Sequence, residues 1–202
     1  MNFLAHCHLG RFNDEFIFGS LLGDFIKGRI DDNAFKPHIR AGIHMHRKLD
    51  VFTDANEHWK RSRDRLPAER RRFAGIIVDV IYDYCLSKAW SKFDDGSRAD
   101  FIATCYGVFR AHCDQVEDNE ARTVIRRIAD EDWFTPYGEI DGIANTLRRI
   151  SRRSPRLGVI ADGIDDLREH ADGFCEDFDK FYKDARRFAV GFYTSDTARG
   201  SW

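Results

Sequence analysis

Proline is scarce, with 4 in 202 residues, and that favours long helices over a turn-rich β sandwich. No apolar run approaches the roughly 18 residues that a membrane-spanning helix needs, so no membrane association is expected. The five cysteines, Cys7, Cys85, Cys105, Cys113 and Cys175, form no CxxC pair and no even framework. That excludes a zinc ribbon and a disulfide-stapled scaffold. The opening MNFLAHCHLGRFND has no basic n-region, and two histidines break its apolar stretch, so it does not read as a signal peptide. The expectation is a cytoplasmic protein with reduced thiols. Also missing are GxSxG, GxxxxGK[ST], HExxH and GxGxxG, the signatures of a nucleophile elbow, a P-loop, a zinc protease and a dinucleotide fold.

What is present is a core. Hydrophobic residues make up 43% and aromatics 13%, with 17 Phe, enough to bury a single domain and to exclude a disordered chain. Between residues 70 and 90, Phe73, Ile76, Ile77, Val80, Ile81 and Tyr84 recur at i, i+3, i+4, i+7, which predicts one buried helical stripe. A second helix is expected over 40–65, stopping before Pro67. Others are expected over 14–30, 98–116, 119–130, 138–150 and 159–188, with Asp100, Asp118 and Asp162 as caps or first-turn acids. Two-residue alternation is almost absent. The fold class read here is all-α, a compact bundle of about seven helices. It occupies 1–189, followed by a loose tail over 190–202, where VGFYTSDTARGSW lacks helical periodicity.

Charge is balanced in total, 32 Lys and Arg against 34 Asp and Glu for a net −2, but not in placement. Arginines bunch at 61–65, at 70–72 and at Arg148, Arg149, Arg152, Arg153 and Arg156, while acids bunch over 162–179. Such blocks usually solvate helix faces. Several in one small domain also suit an acidic or phosphorylated partner. Nothing in them reads bases, so no nucleic acid is expected.

Histidine and carboxylate gather in the first half. His6 and His8 lie near the start, Asp24 is the lone acid in the apolar 16–25 stretch, and GIHMHRKLDVFTD carries His44, His46, Asp50 and Asp54. Asp79 and Asp83 follow one helical turn apart, on one face beside the apolar stripe. Two like charges next to a core resist desolvation unless a cation or a shared proton compensates. His46, Asp50 and Asp54 share a face, with His44 about 160° from His46; the helix phase leaves open which histidine faces a site. Each group has a plain structural alternative: a single histidine such as His6, His8 or His38 hydrogen-bonded in the core, or Asp50 and Asp54 paired with Arg47 or Lys48 at the surface. Asp24 and the Asp79/Asp83 pair are harder to explain that way. His with carboxylate and without Cys pairs suits Mn²⁺, Mg²⁺ or Fe²⁺ better than a structural zinc. Cys7, between two histidines, reads as a buried inert thiol, since neither neighbour reaches it in helix or strand.

NFLAHCHL at 2–9, GSLLGDF at 19–25, GIHMHRKLD at 42–50, DVIYDYCLSKAW at 79–90 and SRRSPRL at 151–157 resemble, in order, the blocks of bacterial acyl carrier protein phosphodiesterase, also called acyl carrier protein hydrolase. The resemblance runs to about residue 189. It implies an all-helical enzyme distantly similar to HD phosphohydrolases, dependent on a divalent metal, typically Mn²⁺. The implied reaction removes the 4′-phosphopantetheine arm from holo-acyl carrier protein. The implied metal set is His6, Asp24, His44 or His46, and Asp79, with Asp24, Asp79 and Asp83 as carboxylates for the chemistry. No adjacent His-Asp dipeptide occurs, so a strict HD ligand assignment does not transfer. The five arginines of 148–156 are then expected to dock the acidic carrier protein. Two rivals stay open: a metal phosphohydrolase of a nucleotide or small phosphodiester, and a non-catalytic helical binding module.

Overall fold

The computed structural model describes residues 2–31 and 34–198, with side chains described to residue 195. Ten α-helices connected by short turns and 3-10 segments make up the fold: α1 (Phe3–Leu9), α2 (Asp14–Leu22), α3 (Pro37–Ala55), α4 (Glu57–Arg65), α5 (Ala68–Arg71), α6 (Ala74–Lys88), α7 (Arg98–His112), α8 (Asn119–Asp130), α9 (Ile140–Ser151) and α10 (Gly163–Ala198), the last kinked at His170. No strand occurs among the described residues. Among the described residues, no helix is long and apolar enough to cross a membrane.

The all-α expectation therefore holds, with ten helices rather than seven. Local chemistry splits the longer predicted ones. Asn56 ends α3 in an extended conformation, and its side chain accepts from the amides of His58 (2.8 Å) and Trp59 to start α4. Phe73 leaves helical geometry and separates α5 from α6. Asp118 caps α8 through the amides of Glu120 and Ala121. The N-terminal block forms α1, a helix in its own right.

α6 is the central element. Ile77, Val78, Val80, Ile81, Tyr82, Cys85 and Leu86 are all buried, so the helix is covered on more than the one stripe that the sequence marked. Ile76 reaches solvent and Tyr82, not Tyr84, is the fully buried tyrosine. Against it α10 lays Phe174, Phe178, Phe181 and Tyr182, with Tyr82 meeting Phe178 edge-on at 5.2 Å.

Two expectations are corrected here. Residues 190–198 are helical, continuing α10, because Tyr193 stacks on Phe12 at 4.0 Å and Phe192 sits under Lys48; residues 199–202 lie outside the described residues. Cys85 and Cys175 are joined as a disulfide linking α6 to α10, with Cα atoms 5.1 Å apart. The crossing of two helices 90 residues apart brings them together, and spacing in the sequence carried no trace of it. Cys7, Cys105 and Cys113 are free and buried.

Candidate metal centre and adjoining cavity

Two close helix crossings bring α1, α2 and α3 to one point. Gly19 of α2 and Gly42 of α3 face each other: a Cβ on Gly19 would lie 2.1 Å from the Ile39 carbonyl oxygen, and one on Gly42 2.6 Å from that of Phe16. Without side chains there, the backbones approach closely enough for the His46 Nδ1–H to donate to the Ser20 carbonyl at 2.8 Å. Gly23 completes the seat, since a Cβ would strike the His46 ring at 2.1 Å.

That bond fixes the His46 tautomer and turns Nε2 toward Asp50 Oδ2, 3.2 Å away. His6, from α1, stacks on His46 with ring centroids 3.8 Å apart and places its own Nε2 3.2 Å from Asp50 Oδ1. Both His6 ring nitrogens are buried; Nδ1 has no hydrogen-bond partner, and Nε2 has only the Asp50 oxygen. A buried polar atom left in that state is costly, and a cation relieves it. His6, His46 and Asp50 each offer a ligand atom, all within 4.8 Å of one another, the one such group among the described residues. Asp24 Oδ1 adds a fourth, 3.8 Å from His46 Nε2. Two imidazoles with carboxylate oxygens fit a divalent first-row ion.

Electrostatics agree with the geometry. Burial, then the neighbouring His46, push His6 down to about 3, so it stays neutral with a lone pair to give. Desolvation works to lower the His46 pKa, but Asp50 and then Asp24 outweigh it and raise it. Desolvation also works against the Asp50 carboxylate, yet His46 and His6 hold it well below the usual range. Asp24 keeps 42% of its side-chain surface open; even so, desolvation raises its carboxyl, against the pull of His46.

Asp24 also opens onto a cavity of about 190 Å³, whose wall includes Asn2, Phe3, Asp79, Tyr137 and Arg149. A wider groove of about 760 Å³ shares Phe3, Asp24, Trp133, Arg149 and Arg153 with it. Asp79, half-buried, lines the inner cavity, and burial raises its carboxyl.

The structure thus sorts the sequence candidates. His6, His46 and Asp24 come together. His44 does not: it is exposed, about 160° around α3 from His46. Asp79 stands in the cavity beside Asp24 rather than in the His6–His46–Asp50 cluster. Asp83 leaves the set altogether, because its two oxygens accept the α1 amides of Leu4 (3.1 Å) and Ala5 (3.0 Å). His8 points the other way, to the Tyr182 hydroxyl (2.6 Å) and Asp94 (3.0 Å). Asp50, read as a surface acid paired with Arg47 or Lys48, instead faces Nε2 of both His6 and His46, while the Ser20 carbonyl holds the other nitrogen of His46. Its i, i+4 spacing from His46 was the available signal. Of the basic block, half-buried Arg149 and exposed Arg153 line the cavity; Arg148, Arg152 and Arg156 are exposed and do not.

Comparison with known proteins adds an independent observation. The family model described as acyl carrier protein phosphodiesterase matches residues 1–185. Proteins named acyl carrier protein phosphodiesterase from Escherichia coli strain SE11 and from Escherichia coli O8 strain IAI1 are each 35% identical over 185 residues, 90% of this chain and 94% of theirs. No solved structure matches at a significant level, so the HD-phosphohydrolase likeness has no structural support.

Proposed function

Because the chain belongs to the acyl carrier protein phosphodiesterase family, we propose that it is a metal-dependent phosphodiesterase that hydrolyses holo-acyl carrier protein to apo-acyl carrier protein and 4′-phosphopantetheine. The observation that carries the reading is the His6–His46–Asp50 cluster opening through Asp24 onto a cavity. His6, His46 and Asp50, with Asp24 at the edge, would hold a divalent ion, for which Mn²⁺ is the first choice and Mg²⁺ or Fe²⁺ the alternatives. Such an ion lowers the pKa of water and polarises a phosphoryl oxygen.

The protein's own groups do the rest. Ser20 holds the proton of His46 on Nδ1, so Nε2 stays directed at the site. Asp79, whose carboxyl burial raises, is a stronger base than a free aspartate and would take the proton of the attacking water, with Asp24 as the alternative. Phe3 and Phe25, stacked at 6.0 Å, and Val124 give the wider groove an apolar wall for the uncharged part of a pantetheine arm. Outside, Arg148, Arg152 and Arg156 supply positive charge for an acidic carrier protein.

The test is incubation with holo-acyl carrier protein and Mn²⁺, followed by intact mass. The expected result is loss of the arm's mass from the carrier, abolished by chelator and restored by Mn²⁺ more than by Ca²⁺, a weaker Lewis acid that prefers more oxygen ligands. A carrier protein of unchanged mass with every divalent ion tried would overturn the reading.

A further inference from the structure

Arg149 differs from the other four arginines of its block. It rises from the last turn of α9 and lies over the Trp133 ring, with its guanidinium carbon 3.4 Å from the ring centroid. It is half-buried, and its Nε is buried without a hydrogen-bond partner. The platform beneath it is itself held: the Trp133 indole N–H donates to Glu131 at 2.9 Å, and Glu131 is fixed from the other side by Arg127 at 2.8 Å. Glu131 is therefore engaged with Trp133 and Arg127. Both the inner cavity and the wider groove are lined by Arg149, Arg153 and Asp24.

A guanidinium stacked on an aromatic face turns its edge donors outward; the Tyr137 hydroxyl meets one of those of Arg149, and the others suit a planar or tetrahedral anion. Desolvation in a cavity makes each charge-assisted bond stronger than at the surface. The acids on the groove, Asp118 and Glu120, stand at the start of α8, where Asp118 is engaged in capping. The inner cavity combines Arg149 and Arg153 with the acids Asp24 and Asp79, which adjoin the metal cluster.

We propose that Arg149, seated on Trp133 and assisted by Arg153, is the phosphoryl-binding arm of the site, so that the basic block is divided between substrate phosphate inside and carrier protein outside. This rests on the phosphodiesterase reading for its substrate, though not for the anion site itself. Trp133 and Glu131 act through Arg149 and are positioning residues.

Inorganic phosphate titrated calorimetrically into Mn²⁺-loaded protein tests it, with pantetheine lacking its phosphate as the uncharged control. Arg149→Gln should weaken phosphate binding about tenfold or more, with metal content unchanged and no effect on pantetheine. Arg149→Lys, which keeps the charge but not the fork, should fall between, and guards against a folding defect in the Gln variant. Arg168→Gln, remote and paired with Asp165, should match the parent. On holo-acyl carrier protein, Arg149→Gln should lower kcat/KM about tenfold or more. Phosphate affinity that survives Arg149→Gln overturns the proposal and makes Arg149 a docking residue. Should the parent fail to cleave the carrier while Arg149→Gln still loses phosphate, the family activity fails and the anion site stands.

Discussion

At His46 the two ring nitrogens have separate duties, and the division shows why a helix can carry a ligand with little freedom. Nδ1 is tied to the Ser20 carbonyl, while Nε2 faces Asp50 and Asp24. His6 is held by stacking on the same ring. His6→Ala and His46→Ala should therefore each lose bound metal, whereas His44→Ala should retain it, as read by elemental analysis after gel filtration; equal metal in all three would dissolve the proposed centre. Asp83 shows the opposite fate of a buried acid. Burial raises its carboxyl from 3.8 to about 7, against the two α1 amides that favour its charged form. Such a group binds its proton more tightly folded than unfolded. Its contribution is complete below about pH 3.8 and is lost as pH rises toward about 7. Asp83→Asn should flatten that stretch of the stability curve in metal-free protein, measured by urea unfolding at several pH values. An unchanged slope would assign the pH dependence to other groups.

Between elements, the crossing of α2 and α3 matters most to the site. It depends on two glycines whose backbones touch, and a methyl group at Gly42 would press on the Phe16 carbonyl and on Gly19. Neither neighbour is a flexible side-chain end that can swing aside. Gly42→Ala should cost about 1–3 kcal/mol of stability by overpacking. It should also loosen metal, because the shift parts Ser20 from His46; denaturation midpoints and metal content on one sample check both. A second pairing of elements explains the charge blocks. The acids of α10 meet the arginines of α4 and α5: Asp177 takes Arg61 at 3.0 Å and Arg65 at 2.8 Å, and Asp166 takes Arg70 through both its oxygens. Those arginines serve the fold. Two acids of that stretch, Asp166 and Asp177, are thus engaged with α4 and α5, while Asp165 pairs with Arg168 and Asp179 with Lys92 and Lys183.

For the molecule as a whole, that allocation leaves a basic surface on one side of the cavity. Arg148, Arg152 and Arg156 are exposed, close in sequence to the arginines that enter the site. Their proposed task is capture of an acidic carrier protein in an orientation that presents its arm to the groove. Arg152→Glu with Arg156→Glu should reduce kcat/KM about tenfold, chiefly through the association rate. Added salt should shrink the difference between parent and variant, since exposed charges are screened beyond about 8–10 Å. Steady-state kinetics across a salt series gives the answer, and a kcat/KM insensitive to both would move docking to another face.

The sequence by itself determined what depends on neighbours within a few turns. Scarce proline, the 3.6-residue periodicity and the caps yielded an all-helical chain, and an acid isolated among apolar residues singled out Asp24. The ordered blocks yielded the family. Tertiary structure alone set His46 beside His6 and left His44 exposed, because the helix phase says which residues share a face but not which helix covers it. It also separated Asp79 from Asp83: identical in kind and one turn apart, they part because the amides of α1 arrive over one and the cavity opens over the other. Asp50 has cationic sequence neighbours that explain it well enough, until α1 brings His6 within 3.2 Å. Cys85 and Cys175 likewise meet only where α6 crosses α10. Each of these outcomes turns on a contact between segments distant in the chain, and such contacts are set by how whole helix faces fit together, which local periodicity does not encode.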